Sequence, residues 1–245
     1  MLEEQRLEEQ MLSQVAETTI SQQLDSVEKI DVDVQTDLLK ILQGEANRVS
    51  VKGRGLVMRN IRIQEMLLQT NSVSINPLSA LFGEVELNKP VNATARIVLN
   101  EADINNALRS NYVRSKIQNF DLNVDGRIVS LKPEEIQIYL PGSGKITLNG
   151  KVQLCDEGNT QSVSFAAMAS PRTQDKPVML ENFNCTEGEG IALDIVVALM
   201  EEVKELINLP YFEFEDTILR VRNMELQEGK LVLLVDAYVK QIPSV

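Results

Sequence analysis

The chain has 245 residues, 43% of them hydrophobic, with no Trp and only 4% aromatics, so a sizeable core must be built from Leu, Ile and Val. A formal net charge of −12 excludes general nucleic-acid binding, which needs a positive field to release counterions, and tight electrostatic adhesion to an anionic membrane. The absence of His removes Ser-His-Asp and Cys-His nucleophiles and H-E-x-x-H zinc sites, and two distant Cys form no C-x-x-C, so no metal and no cofactor is expected.

Residues 2–27 have the spacing of an amphipathic helix. Leu7, Met11 and Val15 recur at four-residue steps, and Leu12, Ala16, Ile20, Leu24 and Val27 form a second row. The period then becomes two. Ile30, Val32 and Val34 alternate with Asp31, Asp33 and Gln35, as in a half-buried strand. TDLLKILQG predicts a short helix with Thr36 as N-cap and Gly44 as its stop. Two long alternating segments follow, about 46–54 and 58–75. In NPLSALFG, Asn76, Pro77 and Gly83 frame one or two helical turns. A strand over 84–99 then leads into LNEADINNALRS.

From about 121 to 186 strand follows strand, cut by PGSG, DEGNT and SPRTQDKP. Ile191 to Leu209 reads as a second long helix ended by Pro210, and a last hairpin turns at Glu228-Gly229. Long antiparallel strands twist and coil. Leu193, Ile195, Val196, Val197, Leu199 and Met200 make the first half of the second helix apolar on nearly all sides. Such a helix has to be covered nearly all round, by protein or by protein plus an apolar ligand. The expected fold class is α+β: a long, strongly curved antiparallel sheet wrapped around amphipathic helices, in a single domain over 1–245.

The start, MLEEQRLEEQ, is acidic and polar, unlike a signal peptide, and no apolar run approaches the roughly 18 residues of a membrane span. The expectation is a soluble protein of a cytoplasmic or stromal-type compartment, peripheral to a membrane.

LNEADINNALRS concentrates polar groups, yet each has a role in starting a helix. Asn100 is the expected N-cap, with Asp103 in the capping-box position. Glu101 and Asp103 suit the positive end of the helix dipole, and Ile104, Ala107 and Leu108 form an apolar stripe. That reading leaves no catalytic carboxylate pair. GSGKIT, Gly142 to Thr147, lacks the first Gly of a phosphate loop and runs into a strand. Cys155 and Cys185 read as ordinary thiols, with a single disulfide as the alternative.

GLVMRNIRIQEMLLQTNSVSINPLSALFG, VELNKPVNATARIVLNEADINNALRS and LPYFEFEDTILRVRNMELQEGKLVLLVDAYV resemble the LmeA-like phospholipid-binding family. The resemblance covers about 2–242 and is nearest to the branch of photosynthetic prokaryotes and plastids. It implies a fold like the tubular lipid-binding proteins, a long helix embraced by a curved antiparallel sheet with an apolar groove for acyl chains. Mycobacterial members are exported and act in the cell envelope, and that role does not transfer to a chain without an export signal.

The lipid-facing candidates are Val15, Ile20 and Leu24 on the first helix, Ile195, Leu199 and Val203 on the second, and Val73 and Ile75 on the longest strand. Ordinary core packing accounts for any one of them equally. Leu78, Leu81 and Phe82, on the short helix between two strands, either close on the core or dip into a bilayer. The basic stretch Arg48, Lys52, Arg54, Arg59 and Arg62 has no acid between 46 and 64. Lys52, Arg54, Arg59 and Arg62 are the head-group candidates, since Arg forks suit phosphate; the other reading is an outer face paired with acidic neighbours.

The function these features favour is non-catalytic binding, with transfer, of a phospholipid or another apolar amphiphile, with transient membrane contact and no nucleic-acid partner. The alternative is an interaction or assembly factor whose groove takes a partner segment. An enzyme acting on a lipid or polyisoprenoid would have to work with carboxylates or Lys alone.

Overall fold

The computed structural model describes residues 2–76, 86–117, 120–156, 158–187, 191–209, 211–214 and 216–241. The chain divides into two compact units, one of Met1–Leu99, Pro210–Arg222 and Leu233–Val245, the other of Asn100–Leu209 and Asn223–Val232.

The first unit opens with helix α1 (Leu2–Gln22) and strand β1 (Lys29–Gln35). It continues through α2 (Leu38–Leu42), β2 (Glu45–Ala46), β3 (Arg48–Met58), β4 (Ile61–Thr70), β5 (Val73–Ser74) and β6 (Val91–Asn100). The strand order β1-β3-β4-β6 continues through β14 (Lys230–Val239) and β13 (Thr217–Gln227) to β12 (Tyr211–Phe214). The pairs β1–β3, β3–β4, β4–β6 and β12–β13 are antiparallel.

Leu12, Ala16 and Ile20, four residues apart, bring one row of α1 onto Val32, Val34 and Val51. Polar groups lock the same contact. Ser13 Oγ accepts from the Val34 N–H at 3.0 Å, and Glu9 Oε1 accepts from the Thr36 N–H at 3.2 Å. Among the described residues β1 is a sheet edge, so these N–H groups take side-chain rather than strand partners. Four residues of helix rise about 6 Å and two of strand about 6.8 Å, so side chains at i and i+4 match every second strand residue.

Several boundaries differ from expectation. α1 ends at Gln22 rather than Val27, because the Asp25 N–H bonds to Val57 O at 2.8 Å and Ser26 O accepts from the Val57 N–H at 2.8 Å. β3 does not break at residue 54. It runs to Met58 and turns on Arg59-Asn60, whose φ values of 51° and 63° suit a tight hairpin. β4 stops at Thr70, whose Oγ1 accepts from the Val49 N–H at 3.0 Å and replaces a backbone partner; Val73 then pairs with Ala46 in a separate two-stranded ladder. The N-cap of α2 is Asp37, not Thr36, whose hydroxyl instead donates to Glu45 O at 2.8 Å. Of the strand expected over 84–99, residues 84 and 85 lie outside the described residues, and β6 begins at Val91, after Pro90.

The second unit contains α3 (Glu101–Arg109), α4 (Asn111–Lys116), β7 (Phe120–Val124), β8 (Arg127–Tyr139), β9 (Ile146–Asp156), β10 (Asn159–Ser170), β11 (Met179–Glu187) and α5 (Leu193–Ile207). Its sheet, in the order β11-β10-β9-β8-β7, is antiparallel throughout. Leu122, Val129, Leu131, Val152, Leu154, Val163 and Phe165 converge from four of these strands on Leu199 and Val203 of α5. α5 also touches both edge strands, β7 and β11. Those edges would lie about 19 Å apart in a flat sheet, and a helix is only about 10 Å wide. The sheet is therefore curled around the helix, the arrangement the long strands and apolar helix predict. Gly150 has a packing reason: a Cβ there would lie 2.3 Å from Phe165 Cζ.

Candidate functional site

LNEADINNALRS does start a helix, but by a different use of its polar residues. The Asn100 side chain makes no capping bond. Glu101 Oε2 instead accepts from the Leu140 N–H at 2.6 Å. Asn105 Oδ1 accepts from the Ile138 N–H at 2.8 Å, and its Nδ2 donates to Ile138 O at 2.8 Å. β7 pairs with β8 only as far as Leu131, so the later part of β8 overhangs it. Glu101 and Asn105, four apart, bind this overhang as Glu9 and Ser13 bind β1. The capping pattern masks that role in the sequence. The following helix, α4, goes beyond the sequence expectations; its signal is Ser110, whose Oγ accepts from the Val113 N–H at 3.2 Å.

In each unit a helix buries one apolar row and leaves another open. On α5, Leu199 is 1% exposed and Val203 is buried, with Ile195 packed beside them. One turn apart on the open side, Leu193 is 77% and Val197 41% exposed. Of the two coverings expected for α5, by protein or by protein plus an apolar ligand, protein alone is incomplete. On α1, Ile20 faces the sheet, whereas Met11 and Val15 are exposed. Leu24 is half-buried beyond the helix end, and Val73 and Ile75 are half-buried near the two-stranded ladder, with Ile75 bridged to Leu87. The candidates therefore do not form one wall. Ile195, Leu199 and Val203 share the core side of α5, while Val15 stands on an open row. Leu78, Leu81 and Phe82 lie outside the described residues.

The basic face is real, but acids share it. Arg48, Lys52 and Arg54 are exposed on the face of β3 opposite buried Val51. Lys52 stands beside Asp31 of β1, and Arg54 beside Glu65 of β4. Arg62 forms an ion pair with Glu28, and Arg59 occupies the β3–β4 turn. Because Val51 contacts the α1 cluster, Arg48, Lys52 and Arg54 lie on the face opposite α1, whereas Arg62, in step with Met66 and Leu68 along β4, lies with Glu28 on the α1 face.

A cavity of about 450 Å³ lies beside the β8 overhang. Leu108, Ile117, Pro133 and Ile136 give it apolar walls, and Arg114 and Lys132 supply cations. The acids beside it are engaged: Glu134 accepts from Gln153 at 2.7 Å and Glu135 from Gln137 at 2.8 Å.

The remaining candidates for chemistry are structural. Lys145, of the rejected phosphate-loop stretch, bonds Glu181 and Ser170, and with Ser170 it holds the Glu181 carboxyl below the usual range. Both cysteines are free. They cannot pair, because Cys155 sits across from Thr160 and Cys185 across from Phe165, on opposite sides of β10. That offset is about 17 Å along the strand, against the roughly 7 Å limit for a bridge. Burial pushes the Cys185 thiol up, away from reactivity. Among the described residues no group of three or more Cys, Asp or Glu could hold a metal ion, and no described helix is long and apolar enough to cross a membrane.

Glu202 on α5 is the acid held unfavourably. Partial burial, then the neighbouring Glu205 carboxylate, push its pKa up. The folded chain therefore keeps this proton to higher pH than the unfolded chain. Stability from Glu202 falls as pH rises through that window, and returns as pH falls. Glu202→Gln is expected to raise Tm at pH 7, with the advantage fading to nothing below about pH 4. A Tm gain that is the same at both pH values would contradict this sign.

Helices that each bury one apolar row on antiparallel sheet and expose a second define an α+β protein suited to holding apolar material. Residues 4–236 match the model of the LmeA-like phospholipid-binding family, and the chain belongs to that family. No curated protein matches it.

Proposed function

We propose that the protein binds a phospholipid, or a closely similar amphiphile, without catalysis, and exchanges it with membranes from a soluble compartment beside them. The observation that carries this reading is the open row Leu193–Val197 on a helix whose other side is sealed into the core. An acyl chain laid on that row leaves water on the side it presents to the helix, and gains up to about 0.8 kcal/mol for each CH₂ that is fully covered. The bilayer offers the full gain, so the hold is weaker than the membrane's and readily reversed. The Met11–Val15 row of α1 offers a second surface of the same kind. Residues 1–245 act as one lipid-binding domain in this reading, since both units are assembled from separated stretches of chain. Lys52 and Arg54, on the face opposite α1, and Arg59, in the adjoining turn, serve phosphates at a bilayer surface, while Arg62, on the α1 face, is the head-group candidate nearer a lipid held on α1. Competition from Asp31 and Glu65 on the first face and from Glu28 on the second keeps these contacts weak and exchangeable.

The test is transfer of a fluorescent phospholipid between phosphatidylcholine vesicles. Leu193→Asp with Val197→Asp should lower binding and transfer about tenfold or more, because a charge must be desolvated against the chain. The melting curve should move little, since Leu193 is 77% exposed and Val197 41%. Unchanged transfer by the folded double variant would remove this row from the mechanism. Absence of binding by the unmutated protein, across several lipid classes, would favour an assembly factor that takes a partner's helix.

A further inference from the structure

We infer that α2 is the element that enters the bilayer surface, with Leu39 and Leu42 as its inserted side chains; this rests on the lipid-exchange reading above. The two leucines, three apart on one short helix, are 73% and 80% exposed. A tip can enter the interface only if its backbone polar groups have partners of their own. Here the Ile41 N–H bonds to Asp37 O at 2.9 Å, the Gln43 N–H to Lys40 O at 3.0 Å and the Gly44 N–H to Ile41 O at 3.0 Å. Asp37 Oδ1 accepts from the Lys40 N–H at 3.1 Å. Gly44, at φ 69°, closes the turn, and its carbonyl accepts from the Ile75 N–H at 2.8 Å, which fixes the base.

The charges around the tip suit the same occupant. The Lys40 ammonium is drawn back to Asn47 Oδ1 and lies 4.0 Å from the Asp37 carboxylate. Next to Asn47 begins the exposed basic row Arg48, Lys52, Arg54, a complement to lipid phosphates. Two leucines supply only a small part of the roughly 800 Å² per partner that a stable protein interface buries. With the basic row beside them, they offer a shallow, reversible hold on a lipid surface.

Leu39→Ser with Leu42→Ser should reduce co-flotation with phosphatidylcholine vesicles about fivefold or more, with an unchanged melting curve and unchanged binding of monomeric short-chain phosphatidylcholine. The chain has no Trp, so Leu42→Trp supplies a single reporter, expected to shift to the blue with vesicles and to be quenched by bromine-labelled acyl chains. Unchanged flotation of the folded Ser variant, or a Trp that neither shifts nor is quenched, would overturn the assignment. Loss of monomeric lipid binding in the Ser variant would also overturn it, by placing α2 in the lipid site. An unmutated protein that binds monomeric lipid but ignores vesicles refutes the tip alone. One that binds neither refutes the lipid-exchange reading itself.

Discussion

Leu199→Ala is expected to cost about 3–5 kcal/mol of folding stability, the upper part of the range for buried leucines. Its side chain, 1% exposed, stands where strands β7 to β10 converge on α5. A sheet already curled around one helix has little room to close further over a missing isobutyl group. The cavity therefore persists, and its lost contacts add to the lost transfer energy. Urea denaturation with and without phospholipid checks this. A loss below about 1 kcal/mol, or full rescue by lipid, would mean that Leu199 faces a ligand and not the core.

Asn105→Ala is expected to cost about 1–3 kcal/mol, because it strips partners from both the N–H and the C=O of Ile138. Asn105→Asp keeps the acceptor but loses the donor, and it sets a second carboxylate four residues from Glu101. It should fall near the alanine variant rather than near the parent. Asp103→Ala, which removes the first-turn charge and any capping interaction, should cost about 0.5–1 kcal/mol. Chemical denaturation of the three variants side by side decides the matter. An Asp103 effect exceeding that of Asn105 would contradict the clamp.

The helices and the curled sheet were legible because their signals are periodic. Leu12, Ala16 and Ile20 mark the buried row of α1, and the strand pattern from 121 to 186 stands out between its turns. The apolar first half of α5 announced that sheet must wrap around it. What stayed hidden depends on partners remote in sequence. Periodicity marks Leu193, Val197 and Leu199 alike as apolar positions of α5. Only the packed structure separates the sealed side, with Leu199, from the open one, with Leu193 and Val197.

The end of α1 was hidden for the same reason. No Gly or Pro stops it, and the break comes from Val57, more than 30 residues on, which takes the backbone of Asp25 and Ser26. The acids that share the basic face reach it through strand register: Asp31 meets Lys52 across β1–β3, and Glu65 meets Arg54 across the β3–β4 hairpin. In TDLLKILQG the helix was legible but its orientation was not, because a five-residue helix with four apolar side chains does not say which of them it leaves in water.

The most direct test of the central claim is native mass spectrometry of the freshly purified protein, with lipid extraction of the same sample. A mass above that of the bare chain is expected, released on extraction as phospholipid. The folded Leu193→Asp, Val197→Asp double variant is expected to carry little or none. A parent protein that stays bare after incubation with phospholipid vesicles, or a double variant that retains a full load of lipid, would contradict it.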